Sequence, residues 1–200
     1  MPQAEANTAV LGLFRAAGAY LTGHFRLTSG LHSPEYLQSA LVLQHPAYAE
    51  DLGRRLAHAL SALVQSKRID VVASPAVGGL IIGHEVARAL GARFIFAERD
   101  ANSKKMTLRR GFDVTPGETT AIVEDVITTG GSTREVADLL KERGGRVVVA
   151  GSIIDRSGGA AEVGVPRAAL ETLHVVAHAP EICPLCAQGI PVLKPGSRPT

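Results

Sequence analysis

The sequence is poor in the residues that mark several large classes of protein. It contains no tryptophan, two cysteines and 4% aromatic residues, which argues against a disulfide-stapled secreted scaffold and against an aromatic RNA-binding platform. The formal net charge of +2 is too small to favour nucleic acid or an anionic membrane as a partner. No apolar run reaches 18 residues, and residues 1–7 lack the pattern of a signal peptide. We therefore expect a cytoplasmic protein.

Short apolar runs alternate along the chain with amphipathic segments of helical period. With 46% hydrophobic residues among 200, the chain can bury one substantial core. The predicted strands are Ile69–Ala73, Arg93–Ala97, Ala121–Val123 and Val147–Ile154, and the predicted helices include residues 46–64 and 81–90. Strand–helix–strand repeats of this kind predict an α/β fold, with a mostly parallel sheet flanked by helices.

The stretch from Ala121 to Thr133 carries the clearest chemistry. An apolar strand is followed by two adjacent carboxylates, Glu124 and Asp125, and then by a turn rich in glycine and hydroxyl groups. Ser132 or Thr133 is expected to cap the next helix, whose N-terminus and backbone N–H groups suit a phosphate. The acid pair suits a neighbouring diol, or a metal held by the ligand. A ribose 5-phosphate satisfies both halves, whereas an ATP P-loop would need Gly-Lys-Ser/Thr after the glycines.

The residues from Val123 to Ser132 resemble the phosphoribosyl-diphosphate (PRPP) signature of type I phosphoribosyltransferases. The resemblance implies PRPP as substrate, with Mg²⁺ held mainly by PRPP and no metal ligand assigned to the protein. The PRPP-binding residues that it implies are Arg99, Lys105, Glu124, Asp125, Val126, Ile127, Thr128, Thr129, Gly130, Gly131 and Ser132.

The segment Phe25–Gln38 resembles the N-terminal hood of orotate phosphoribosyltransferases, with Phe-x-Leu-x-Ser-Gly followed by Ser-Pro and an aromatic residue. Many members of that family carry lysine at the positions of Thr28 and Gly78. The resemblance implies an orotate site formed by Tyr36, Thr128 and Arg156. On charge alone Arg156 suits a surface ion pair with Asp155, but a guanidinium at the ligand edge also suits a planar carboxylate.

Residues 98–105 form a polar segment without periodicity, which predicts a mobile loop. Charge alone indicates that Arg99, Lys104 and Lys105 are solvated cations. The family resemblance instead implies a lid whose cations neutralise the departing diphosphate. It therefore assigns catalytic roles to these three residues and Asp125, and it implies a two-fold homodimer in which each lid serves the neighbour's site. The usual lid has a further lysine and a histidine, which this chain lacks.

The whole chain, residues 1–200, is predicted to be one domain, with a core of about 46–156 and hood segments of about 1–45 and 157–200. Its tail contains Cys183 and Cys186, a spacing that supplies half of a zinc site. His174 and His178 are the candidate complement, but on one strand they would lie far apart for a single ion. We expect a structural role for the tail rather than a metal site.

The resemblance implies transfer of the phosphoribosyl group from PRPP to orotate, giving orotidine 5′-monophosphate and diphosphate. Two alternatives remain open on the sequence. One is a phosphoribosyltransferase for a purine base or uracil, and the other is a PRPP-sensing regulator that binds RNA.

Overall fold

A six-stranded sheet forms the centre of the protein, and its strands lie side by side in the order β5-β4-β3-β6-β7-β8. The computed structural model describes residues 10–27, 30–65 and 67–195; Thr28 and residues 1–7 lie outside this part. All neighbouring strands are parallel except β5, which is antiparallel to β4 at one edge. The strands are β3 (Val71–Pro75), β4 (Arg93–Arg99), β5 (Met106–Leu108), β6 (Thr119–Ile127), β7 (Arg146–Asp155) and β8 (Arg167–Thr172).

Helices cover both faces of this sheet, as its strands require. Side chains alternate between faces along each strand, so that Val72 and Val123 join one apolar cluster while Val71 and Ile122 join the other. Helices α3 and α4 pack into the first cluster and α5 into the second. The helices are α1 (residues 10–16), α2 (Ser39–Leu43), α3 (Pro46–Leu63), α4 (Gly79–Leu90), α5 (Gly131–Glu142) and α6 (Pro184–Ala187). The predicted fold class is confirmed.

A separate antiparallel hairpin stands beside the large sheet. It consists of β1 (Tyr20–Arg26) and β2 (His32–Leu37). The chain after β8, residues 173–195, lies along it through isolated bridges from His178 to His32 and from Leu193 to Phe25. We call this hairpin and tail the hood. The predicted hood boundary at residue 156 was wrong for β8, which pairs with β7 in the large sheet.

Strand β6 continues beyond the end of its pairing with β3. The register of β3 and β6 ends at Ala73 and Ile122, whereas β6 stays paired with β7 as far as Ile127 and Asp155. Glu124 and Asp125 therefore lie inside the strand, not after it as the apolar run suggested. Because β3 has already turned towards α4, one side of the β6 carboxyl end is left open. No helix in the described part of the chain is long and apolar enough to span a membrane.

Candidate active site

A cleft of about 510 Å³ lies between the carboxyl ends of β6 and β7 and the hood. This is the edge of a parallel sheet at which α/β folds bind ligands. The cleft is lined by Leu27, Leu31, Tyr36, Leu37, Gln38, Glu124, Asp125, Val126, Thr128, Thr129, Ser132, Arg156, Val175 and Ala177. It thus brings together the predicted acid pair, part of the turn and the predicted orotate site.

The two adjacent carboxyl groups are half-buried at the wall of the cleft. Burial, with a smaller contribution from the charge of Asp125, raises the pKa of Glu124 to about 7. Thr133 opposes this rise, because its hydroxyl donates a hydrogen bond to Glu124 Oε1. Burial also raises the pKa of Asp125. A ligand that donates further hydrogen bonds to these carboxyl groups would stabilise their ionised forms.

The loop between β3 and α4 packs closely against Asp125. A Cβ atom at Gly78 would lie 2.5 Å from Asp125 Oδ1, so no larger residue fits there unless the carboxylate moves. The peptide bond between Ala76 and Val77 in this loop is cis. A lysine at this position would therefore require the Asp125 carboxylate to move.

The turn after β6 forms a small polar pit of about 50 Å³. Gly130 precedes the first residue of α5 and has φ 74°, a left-handed conformation that favours glycine. No side chain caps this helix, so its first N–H groups are available to an anion. The predicted cap was wrong, since Ser132 and Thr133 lie within α5. The pit is lined by Glu124, Val126, Ile127, Thr128, Thr129, Gly130, Gly131 and Ser132.

Arg156 brings a positive charge to the acidic cleft. Its backbone N–H bonds to the Ile127 carbonyl at 2.8 Å, which anchors it at the strand end. Asp155 instead pairs with Arg167 at 2.7 Å, so the ion pair expected from charge alone does not form. Arg156 Nε is buried and has no hydrogen-bond partner among the described residues. An unpaired buried donor of this kind favours a ligand that supplies the acceptor.

Tyr36 places an aromatic ring on the hood side of the same cleft. Its ring packs against Phe25 with centroids 5.7 Å apart. Burial raises the pKa of the phenol, against the opposing charge of Arg156, so the hydroxyl is a neutral donor at physiological pH. The cleft therefore pairs a guanidinium from the sheet with a phenol from the hood.

The three predicted lid cations lie outside this cleft. Arg99 ends β4 and pairs with Glu135 of α5 at 2.8 Å. Asp100 closes the following turn by accepting hydrogen bonds from the N–H groups of Asn102 and Ser103. Lys104 and Lys105 are exposed and lead into β5. In place of a long open loop, the segment is a tight hairpin turn at the sheet edge. Among the described residues that line the cleft, Arg156 is the one cation.

Several residues in or next to the cleft were not predicted from the sequence. Val175 and Ala177 come from the tail, whose position depends on the pairing of His178 with His32 across the hood. Gln38 directly follows β2 and could have been found from its place beside Tyr36 in the extended segment. Thr133 reaches Glu124 only because α5 folds back on the end of β6.

Known proteins match most of this chain. The Phosphoribosyl transferase domain family matches residues 42–166. The orotate phosphoribosyltransferase of Pelotomaculum thermopropionicum is 56% identical over 189 residues, covering 94% of this chain and 96% of that protein. The protein of the same name from Heliobacterium modesticaldum is 52% identical, covering 94% of this chain and 97% of its own length.

Solved structures show the same fold at lower identity. The crystal structure of orotate phosphoribosyltransferase from Aeropyrum pernix has a TM-score of 0.67 at 24% identity, and the match covers 82% of this chain and 93% of that one. A structure of adenine phosphoribosyltransferase has a TM-score of 0.62 at 16% identity, over 79% and 98% of the two chains. Similarity at this level concerns the fold alone, while the close sequence relatives and the matching family decide membership. The chain belongs to the orotate phosphoribosyltransferase family.

Proposed function

We propose that this protein transfers the 5-phosphoribosyl group from PRPP to orotate, forming orotidine 5′-monophosphate and diphosphate for pyrimidine biosynthesis. The observation that best supports this proposal is that the Nε of Arg156 is buried without a hydrogen-bond partner among the described residues, in the same cleft as Glu124 and Asp125. Among orotate, uracil and the purine bases, orotate is the one with a carboxylate, which a guanidinium binds with two parallel hydrogen bonds. Uracil and the purines have no such group.

The ribose 5-phosphate is held at two points of the signature stretch. The pit at Thr128–Ser132 offers backbone N–H groups and the N-terminus of α5 to the phosphate. Glu124 and Asp125 accept hydrogen bonds from the two ribose hydroxyls, which restores part of the solvation that burial removed. The anomeric carbon is thereby fixed between the pit and the base site.

The reaction needs no nucleophile from the protein, because a ring nitrogen of orotate attacks the anomeric carbon. Positive charge develops on the ribose ring as the bond to diphosphate breaks. The carboxylates of Glu124 and Asp125 lie in the same cleft and stabilise this charge, and Arg156 orients orotate through its carboxylate. Thr128 and Tyr36 provide further polar contacts for the base.

We further propose that PRPP binds together with Mg²⁺, held mainly by the diphosphate oxygens. The residues present fit such an ion, because the cleft contains two carboxyl groups with raised pKa values and a single cation among its described residues. Glu124 and Asp125 are the protein groups that would hold it, as hard oxygen ligands. When bound, Mg²⁺ supplies positive charge to the leaving diphosphate.

We also propose a two-fold homodimer in which Arg99, Lys104 and Lys105 act at the partner's site. In their own chain these cations do not line the cleft, although the departing diphosphate needs positive charge. They lie on the turn that joins β4 to the edge strand β5, where a second subunit can approach them. Closed two-fold dimers are the commonest assemblies of soluble proteins.

Diphosphate release from PRPP tests the proposed reaction. Orotate is compared with uracil, its matched control without the carboxylate, and with adenine. Because a charge-assisted hydrogen bond contributes about 1.5–3 kcal/mol, the kcat/KM for orotate should exceed that for uracil by about 10–150-fold. Faster release with uracil or adenine would assign a different base. PRPP binding without release, accompanied by salt-sensitive RNA binding, would instead indicate a regulator.

A further inference from the structure

Four potential metal ligands converge where the tail meets the hairpin of the hood. They are His24 Nε2, His32 Nδ1 and the sulfur atoms of Cys183 and Cys186, all within 4.8 Å of one another. His24 Nε2 lies 2.9 Å from His32 Nδ1 and 3.5 Å from Cys183 Sγ. Cys186 Sγ lies 3.3 Å from His32 Nδ1 and 3.7 Å from His24 Nε2. We call these four side chains the His₂Cys₂ cluster.

The three nitrogen–sulfur spacings match the edges of a metal-centred tetrahedron, whereas the two nitrogens lie closer together, at 2.9 Å. Zinc bonds of about 2.0–2.1 Å to nitrogen and about 2.3 Å to sulfur give edges of about 3.4 Å between two nitrogens and about 3.6 Å between nitrogen and sulfur. The observed nitrogen–sulfur separations of 3.3, 3.5 and 3.7 Å bracket that value. Two imidazoles with two thiolates form the donor set that zinc prefers in structural sites.

A neighbouring hydrogen bond prepares His24 for such a role. Its Nδ1 lies 2.7 Å from the Ile190 carbonyl oxygen, which can only accept, so Nδ1 carries the proton. Nε2 therefore directs its lone pair into the cluster. Metal-bound histidines are commonly oriented in this way by a carbonyl on the second ring nitrogen. Ile190 belongs to the tail, so this contact also joins the tail to β1.

The surroundings of the cluster suit a structural ion. His24, His32 and Cys183 are buried, and both cysteines are free thiols. Cys186 is exposed, which leaves an approach for the metal. Each of the four side chains supplies one ligand atom, so the set closes a four-coordinate site without an open position for chemistry.

The sequence pointed to the wrong pair of histidines. His174 lies against Gly158 and bridges to Ser157, and neither His174 nor His178 belongs to the cluster. The histidines that face the two cysteines come from β1 and β2, more than 150 positions earlier in the chain. Spacing within the tail could not reveal a partner that only the folded hood brings near.

Backbone hydrogen bonds join the tail to the hairpin, but few side chains of the tail are buried. Among the described residues after Glu171, Cys183 is the only buried one. Ile182 is 72% exposed and Leu193 58% exposed, so apolar burial contributes little to docking of the tail. A metal bound between β1, β2 and the tail would add a side-chain cross-link to these backbone contacts, since the binding energy of a structural zinc ion becomes folding energy.

We propose that His24, His32, Cys183 and Cys186 bind one structural Zn²⁺ that fastens the tail to the hairpin. The test uses the full chain, expressed with zinc in the medium and purified without chelator. Metal analysis should find about one equivalent of zinc per chain. Replacing zinc by Co²⁺ should give the visible absorption of a tetrahedral site with thiolate ligands.

Matched variants tie the ion to these side chains. Cys186→Ser changes an exposed ligand by one atom and leaves the buried packing intact. Competition with a chromophoric chelator should show that zinc binds more than about 100-fold more weakly to this variant. Loss of a residue that only orients a metal ligand would have a smaller effect. His178→Gln, in the same tail but outside the cluster, should retain wild-type affinity. A strong chelator should lower the Tm of wild type and His178→Gln but leave that of Cys186→Ser unchanged.

Three results would overturn the zinc site. The first is less than about a tenth of an equivalent of zinc in protein that remains folded and reduced. The second is equal zinc affinity in wild type and Cys186→Ser. The third is a Cys183–Cys186 disulfide in the purified protein, detected as a mass lower by two hydrogens, with no zinc uptake after reduction. None of these measurements depends on transferase activity, so the proposed reaction can fail or succeed independently.

Discussion

Arg156 places a guanidinium in the cleft without giving its Nε a partner among the described residues. Arg156→Ala should raise the KM for orotate by about 10–150-fold, because a charge-assisted hydrogen bond of about 1.5–3 kcal/mol is lost. The KM for PRPP should change little. Steady-state kinetics with each substrate varied in turn measures both constants.

A control separates loss of the ligand contact from loss of a surface charge. Arg68→Ala removes an exposed guanidinium that pairs with Asp70, and it should leave both KM values unchanged. If Arg156→Ala raised the two KM values equally, the residue would support the cleft as a whole, and the orotate assignment would be lost.

Glu124 should make the stability of the protein depend on pH. Its pKa is raised from 4.5 to about 7 in the folded state, so the folded chain binds this proton more tightly than the unfolded chain. The carboxyl group therefore destabilises the fold increasingly as pH rises from about 4.5 to 7. At pH 8 the penalty is fully present, at about 3 kcal/mol for a shift of this size. Glu124→Gln should remove it.

Urea unfolding at pH 5 and pH 8 measures this effect. Relative to wild type, Glu124→Gln should gain up to about 3 kcal/mol at pH 8 and much less at pH 5. Glu142→Gln, an exposed substitution at the end of α5, controls for changes in net charge and should show no such difference. A gain that is equal at both pH values would mean that Glu124 does not titrate in this range.

At the scale of elements, the loop between β3 and α4 fixes the position of Asp125. A Cβ atom at Gly78 would stand 2.5 Å from Asp125 Oδ1, so Gly78→Ala should displace the carboxylate. Strain of about 1–3 kcal/mol is typical of such overpacking, and we expect kcat/KM for PRPP to fall by about tenfold or more. Gly78→Lys should lower kcat/KM for PRPP at least as far, because its larger side chain meets the same carboxylate.

A double-mutant cycle shows whether the loss arises from this contact. Gly12→Ala is the matched control for the change itself, because a Cβ at Gly12 meets no atom within 4 Å. Asp125→Asn should retain the fold while weakening catalysis. In Asp125→Ala the displaced group is absent, so adding Gly78→Ala should cause little further loss. Additive losses would place the effect of Gly78 elsewhere.

The sequence predicted most of the sheet because its signals are local. The runs at Ala121–Val123 and Val147–Ile154 are short and apolar, and both became central strands buried on two faces. The strand ends were less well predicted, since β6 continues to Ile127 through two carboxyl groups. The paired strand β7 supplies the hydrogen bonds that keep those polar residues extended.

Features that depend on distant parts of the chain were predicted poorly. Thr133 fits the pattern of a helix cap, but the Thr133 hydroxyl donates its hydrogen bond to the nearby carboxyl group of Glu124 instead. The partners of Cys183 and Cys186 were sought within the tail, while the fold brings His24 and His32 from the opposite end. Residue spacing describes local geometry, and it cannot show which distant segments meet.

At the scale of the whole molecule, the two segments of the hood close the cleft together. Tyr36 and Leu37 come from the hairpin, and Val175 and Ala177 come from the tail. The backbone of His178 joins them, since it exchanges two hydrogen bonds of 2.8 Å with His32. The base site is therefore shaped by the same junction that contains the His₂Cys₂ cluster. Within one chain, Arg156 is the one cation among the described residues that line this cleft.

Complementation between two inactive variants should reveal whether a second chain completes the site. One variant is Asp125→Asn, and the other has Arg99, Lys104 and Lys105 all changed to alanine. Glu135→Gln, which breaks the Arg99 ion pair but keeps the cation, controls for structural damage and should stay active.

Each of the two variants should be nearly inactive alone, because one lacks an intact acid pair and the other lacks the lid cations. Refolded together in equal amounts, about half of the dimers should be mixed. If the lid acts across the interface, each mixed dimer has one site with both Asp125 and an intact lid, so about a quarter of wild-type activity returns. If the lid acts within its own chain, every site in the mixed dimer has a defect. Mixed dimers identified by mass spectrometry that show no activity would therefore exclude the shared site.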